Sequence, residues 1–227
     1  MSVPSFVRKA DASSGAVALG ASTPVGNLLM AFLLFDSAAA WNTGSDDLGN
    51  TYTQIGSEIA NVAGGWKLRA YWAKNGTAGT RTFTFTVTGS PGFVDIWFAE
   101  YTGQHPTTPI DVSQTVAEAG KTADFADSRT LVYANDLFVS FMIPSAGTGS
   151  IVSPAGFTQR ATRAGSSLDD KLITAAGAQS VTYHSTNFAT ATDFSIIQVA
   201  LQPNAIVQRR STALGGTRLG SRQVIGG

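Results

Sequence analysis

The residues of this chain whose types and spacing could do chemistry are few. Two histidines, His105 and His184, are present and no cysteine, so thiolate nucleophiles, thiolate metal sites and a disulfide framework are excluded. His105 stands in the turn-like TGQHPTTP, and His184 ends the strand-like run Ser180–His184. A Ser-His-Asp relay built on a nucleophile elbow needs a serine on a tight turn with flanking glycines, and no G-x-S-x-G occurs. The segment AEAGKT at Ala117–Thr122 ends like a phosphate-binding loop, but Thr115 stands where that motif needs its first glycine. The pairs Asp46–Asp47 and Asp169–Asp170 offer the hard oxygen ligands that calcium takes, without the spacing of a calcium loop. Asn75-Gly76-Thr77 fits the N-glycosylation sequon and equally an Asn-Gly hairpin turn. The expectation is a protein that is not an enzyme and needs no metal and no cofactor.

Two groups of residues remain that suit binding. Trp66, Trp72 and Trp97, with Tyr71 and Tyr101, are candidates for glycan contact, since stacking sites need aromatic faces beside polar groups. Tyr71 and Trp72 alternate on one strand, which puts one inward and one outward, and Trp97 shares a face with Asp95. The second group ends the sequence. Residues 205–227, AIVQRRSTALGGTRLGSRQVIGG, hold Arg209, Arg210, Arg218 and Arg222, five glycines and no acid. Of 15 basic and 15 acidic side chains in the whole chain, removing these four arginines leaves 11 against 15. Leu214, Leu219, Val224 and Ile225 stand as small apolar anchors among the arginines. Such a mixture suits an extended arm bound along a neighbouring protein, with backbone pairing to a sheet edge and arginine forks on carboxylates. Four charges give only modest phosphate affinity, so no nucleic-acid partner is expected.

The elements that position these residues are strands. Arg81–Val87, RTFTFTV, alternates with period 2, the mark of a sheet with one buried face. Leu28–Phe35, LLMAFLLF, has no polar alternation and suits a strand buried on both faces. Further strands are expected at Lys67–Ala73, Phe93–Tyr101, Asp136–Ile143, Leu168–Thr174, Ser180–His184 and Phe194–Gln202, separated by turn clusters such as KNGTAGT and PSAGTGS. The longest apolar run is too short for a membrane-spanning helix, and the N-terminus lacks a secretory signal pattern, so a soluble protein made in the cytoplasm is expected. Charged residues are only 13% of the chain, about half the usual share, as in a β protein or one covered by neighbours.

The halves of the chain repeat. NLLMAFLLF from Asn27 matches DLFVSFMI from Asp136, and NTYTQIG from Asn50 matches GFTQRAT from Gly156. Lys67–Thr88 matches Lys171–Thr186, and GFVDIWFAEY from Gly92 matches DFSIIQVALQ from Asp193. The fold class expected is all-β: one two-sheet, jelly-roll-like sandwich over residues 1–204, with pseudo-repeats at about 25–103 and 134–202, followed by an extended arm over 205–227. Two separate small sandwiches are the alternative.

The succession GNLLMAF, LGNTYTQIG, WKLRAYWAKN, TFTFTV, VDIWFAEYTG, NDLFVSF, GFTQR, LDDKL, SVTYHS and IIQVAL resembles a β-sandwich domain of bacteriophage virion proteins and bacterial surface proteins. The resemblance spans roughly Val25 to Leu201 and carries no catalytic residue. It implies a virion structural protein, tied through its arm to the major capsid or tail protein and oligomeric in the particle, with capsid decoration favoured over a place in the tail, baseplate or fibre. A carbohydrate-binding, receptor-binding module with a host glycan as partner is the second reading.

Overall fold

The computed structural model describes residues 2–204, apart from 14, 37–38, 62–64, 90–91, 122–124, 145–150, 164 and 186–191. Residues 205–227, with all the arm candidates from Arg209 to Ile225, lie outside the described residues. Eight strands form the first half: β1 (Ser5–Ala12), β2 (Ala16–Ala18), β3 (Leu28–Asp36), β4 (Ala40–Asp46), β5 (Thr53–Asn61), β6 (Trp66–Lys74), β7 (Thr82–Thr88) and β8 (Val94–Thr102). Eight more form the second: β9 (Ile110–Lys121), β10 (Phe125–Leu131), β11 (Asp136–Pro144), β12 (Ile151–Val152), β13 (Thr158–Arg163), β14 (Ser166–Ile173), β15 (Gly177–Ser185) and β16 (Thr192–Leu201). Every pairing between them is antiparallel.

The duplication is complete at the level of topology. The first half builds a five-stranded sheet, β1-β8-β3-β6-β5, and a three-stranded sheet, β2-β7-β4. The second builds β9-β16-β11-β14-β13 and β10-β15-β12, the same order with every strand number raised by eight. Each half thus has the strand order of a jelly roll.

Side-chain alternation stacks these four sheets as four layers. On β3, Leu28, Met30, Phe32 and Leu34 point into a central core shared with Leu137, Val139, Phe141 and Ile143 of β11. The alternate β3 residues, Leu29, Ala31, Leu33 and Phe35, pack on Phe83 and Phe85 of β7 in an outer core. Phe138 and Met142 of β11 do the same with Val181 of β15 on the far side. The large sheets therefore face each other, and each small sheet covers an outer face. This explains why LLMAFLLF has no polar position: the strand has no solvent face. The all-β sandwich expected from the sequence is what the chain forms, with four sheets where two were expected.

The two halves meet with reciprocal contacts. Phe32 and Phe141 stand at the same place in their strands, opposite Ala70 and Trp97 in one half and Leu168 and Ile197 in the other. Their rings stack on each other at 4.9 Å and 27°. At one edge β5 lies against β9, the counterpart of β1. At the other, Arg163 ends β13, the counterpart of β5, and pairs with Asp95 at 2.9 Å and Asp11 of β1 at 3.3 Å. A contact in which i meets j and j's counterpart meets i's is the signature of a two-fold interface, here formed within one chain.

Register corrects one part of the repeat read from sequence. Trp72 pairs with Met30 and Asp170 with Val139, and Met30 and Val139 are counterparts. The strand equivalent to Trp66–Lys74 is therefore β14, and Lys67 does not correspond to Lys171. The shared Lys-Leu dipeptide is a false match, because β14, SSLDDKLI, carries Asp169 and Asp170 where β6 carries Tyr71 and Trp72.

Candidate functional site

One end of the body gathers Ser2, Asn204, the link between halves and most of the exposed large apolar side chains among the described residues. The link, residues 103–109, runs from β8 to β9. Its Gln104 bridges to Pro203, and Ser2 bridges to Asn204. Asn204 N donates to Ser2 O and to Gly103 O, both at 3.1 Å, and Gln202 N donates to Pro109 O at 2.9 Å. Gln202 Nε2 adds bonds to the Thr108 carbonyl and to Thr108 Oγ1. The backbone is thereby fixed as far as Asn204, the residue from which 205–227 continues. Gly103 is required here. Its φ is +81°, and a Cβ on it would lie 2.2 Å from Val3 O.

Of the eight exposed large hydrophobic residues among those described, five, Val3, Val25, Val132, Tyr133 and Leu172, belong to this end. Val3 follows Ser2. Val25 precedes Gly26, whose carbonyl accepts from Gln104 Nε2 at 2.8 Å. Val132 N donates to Asp111 Oδ2 at 2.7 Å, and Leu172 pairs with Leu137, itself the partner of Leu201. Apolar side chains concentrated at one end of a body, rather than scattered singly, make that end the candidate interaction face.

Two ionisable side chains are buried beneath this end. Glu100 is fully buried and accepts from Asn27 Nδ2 at 2.5 Å and Thr23 Oγ1 at 3.2 Å, with Arg8 Nε at 2.8 Å. Asp136, which opens β11, is fully buried, and neither of its oxygens receives a hydrogen bond from a protein donor. Burial, then a hydrogen bond with the Asp111 carboxyl and the Asp111 charge, push its pKa up to about 8. Asp136 is therefore protonated at neutral pH and is itself the donor of the pair.

The remaining sequence candidates are dispersed. Trp97 is 0% exposed and packs on Phe141 at 4.8 Å in the central core. Trp66 and Trp72 are half-buried against that same core, while Tyr71 packs in the outer one. Trp97 does not reach solvent and Tyr71 and Trp72 are not split into core and surface, because the large sheet is covered on both faces. The three tryptophans form no common exposed platform. Residues 117–121 run as strand β9, so AEAGKT is not a loop before a helix. Asp46 accepts from Leu48 N, Asn50 N, Asn50 Nδ2 and Tyr52 Oη, and Asp169 accepts from Ser153 and Ser167. These carboxylates serve protein donors. Among the described residues no cluster of three metal-ligating side chains occurs, and no helix is long and apolar enough to cross a membrane. Asn75 is buried, donating to Thr23 O at 3.0 Å and Pro24 O at 2.6 Å. It staples a loop, and the positive φ of its hairpin falls on Gly79. His105 Nδ1 accepts from Thr108 N at 3.2 Å and caps its own turn. His184 lies in β15 opposite Val152.

Sequence reasoning missed Glu100, Asp136 and the buried Arg81. The available signal was a charge inside or abutting an apolar run, as in VDIWFAEYT and DLFVSF; such charges must be partnered or neutralised when the run is buried. No protein-family model, curated protein or solved structure matches this chain.

Proposed function

We propose that the protein is a non-enzymatic structural component of a bacteriophage particle, most economically a decoration of the capsid. The body is displayed outward and the basic segment 205–227 ties it to a particle protein. The observation that carries this reading is the coincidence at one end of the exposed apolar side chains and of the clamped Asn204 from which that segment leaves. A body that binds through this end buries Val25, Val132 and Tyr133 while its arm continues along the same partner. The four arginines, with no acid among them, fit an acidic partner surface. The central core, continuous across both halves, suits a rigid spacer that transmits no internal motion. The resemblance of the strand sequence to virion β-sandwich domains points the same way.

The test is incorporation. Full-length protein and a form ending at Asn204 are supplied to assembling particles, and purified particles are assayed for each. The account expects both to fold and only the full chain to be retained. Equal retention of the shortened form overturns attachment through the arm.

A further inference from the structure

A cleft of about 380 Å³ opens at the same end, between the start of β1 and the strands β13 and β14. The duplication shows how its lining differs from the first half, where Trp72 and Ile110 both pack against the central core. In the second half the counterpart of Trp72 is Asp170 and that of Ile110 is Phe6, and the Arg160 guanidinium joins the Asp170 carboxylate to the Phe6 ring. The cleft has an apolar wall of Val3, Phe6 and Leu137 and a polar wall of Arg160, Asp170 and Lys171.

The charge of the polar wall has a sign. Asp170 is buried and its two oxygens take Arg160 Nε and Nη2, each at 2.8 Å. That bidentate pair neutralises itself and holds the guanidinium 4.7 Å over the Phe6 ring. Among the described residues Lys171 has no carboxylate partner; its Nζ stands 5.7 Å from the Phe157 ring and donates to the Ala155 carbonyl at 3.2 Å, with two further donor positions. Behind Phe6, the Tyr101 hydroxyl is fully buried, with no hydrogen-bond partner among the protein atoms and within electrostatic reach of Asp170 and Arg160.

The geometry points to a receptor for an acidic peptide segment of the docking partner: an apolar side chain seated against Phe6 and Leu137, next to a carboxylate held by Lys171. This rests on the reading of this end as the docking face. It adds that the partner's contacting segment carries Asp or Glu beside a large apolar residue, the complement of both the cleft and the arginine-rich arm.

The test uses the full chain and two blocked tripeptides, acetyl-Leu-Glu-Leu-amide and its Gln counterpart, followed through backbone amide shifts. The Glu peptide is expected to move the amides of Gly156, Lys171 and Leu172 and to bind at least about tenfold more tightly than the Gln peptide, the value of one charge-assisted hydrogen bond. Lys171→Met should remove that preference, and Thr158→Trp, at the exposed mouth, should block both peptides with an otherwise unchanged spectrum. Equal binding of the two peptides, no binding of either, or an undiminished preference in Lys171→Met overturns the proposal. Peptide binding that persists while the protein stays off particles would instead refute the virion reading and leave the cleft as a peptide site.

Discussion

Replacing Asp136 by asparagine should change how stability depends on pH. In the folded chain the Asp136 carboxyl holds its proton up to about pH 8, whereas in the unfolded chain it ionises near the ordinary carboxylate value of 3.8. Between those values the folded state binds one proton more than the unfolded state. Stability therefore falls as pH rises across this window, and the loss is complete above the folded value. The slope for one proton is about 1.4 kcal/mol per pH unit, so from about pH 4.5 to about pH 7.5 the group removes ~4 kcal/mol. Asparagine keeps the shape, stays neutral and can donate to Asp111. Asp169 and Asp170 are also raised, Asp169 by burial and the Asp170 charge, Asp170 by burial against the pull of Arg160, but they are common to both proteins and cancel in the difference. Urea unfolding of wild type and Asp136→Asn at several pH values provides the assay. The variant should gain on the wild type steadily with pH, and the two should converge near pH 4. Curves that remain parallel across the window would refute the assignment of a neutral, buried Asp136.

Two further outcomes test the fold. Phe32→Ala and Phe141→Ala should each cost about 3–5 kcal/mol as large core truncations, and the double variant should cost less than their sum, because the two rings stack on each other; strict additivity in denaturant melts would contradict the shared central core. Gly103→Ala should destabilise by at least about 2 kcal/mol, since it combines a left-handed backbone with a collision against Val3 O; an unchanged melting temperature would dismiss the clamp at the chain ends.

The sequence made the strands with strong patterns legible and left the rest obscure, for physical reasons. RTFTFTV alternates because β7 has one covered face, and LLMAFLLF does not because β3 has two. Both could be read directly. The four-layer stack could not, because it depends on which apolar faces meet, and β3 reads the same whether its second face is covered by a small sheet or by the other half. Short strands such as β2 and β12, with three and two residues, carry too few positions to show a period. The candidate interaction end is assembled from Val3, Val25, Gly103, Val132 and Asn204, which are far apart in sequence and brought together by tertiary pairings such as Ser2 with Asn204 and Gln104 with Pro203. The burial of Trp97 was hidden for a related reason: alternation within a strand separates a covered from an open face only when one face of the sheet is open, and both faces of the large sheet are covered.

The central claim is an orientation: the end where Ser2 and Asn204 meet faces the particle. A cryo-electron microscopy reconstruction of the particle, with the body fitted as a rigid unit, measures it directly. The account predicts that Val25, residues 103–109, Val132, Tyr133 and Asn204 lie against the underlying protein, with the opposite end of the double sandwich outward. A body attached by that opposite end, or by the exposed face of either small sheet, would contradict it.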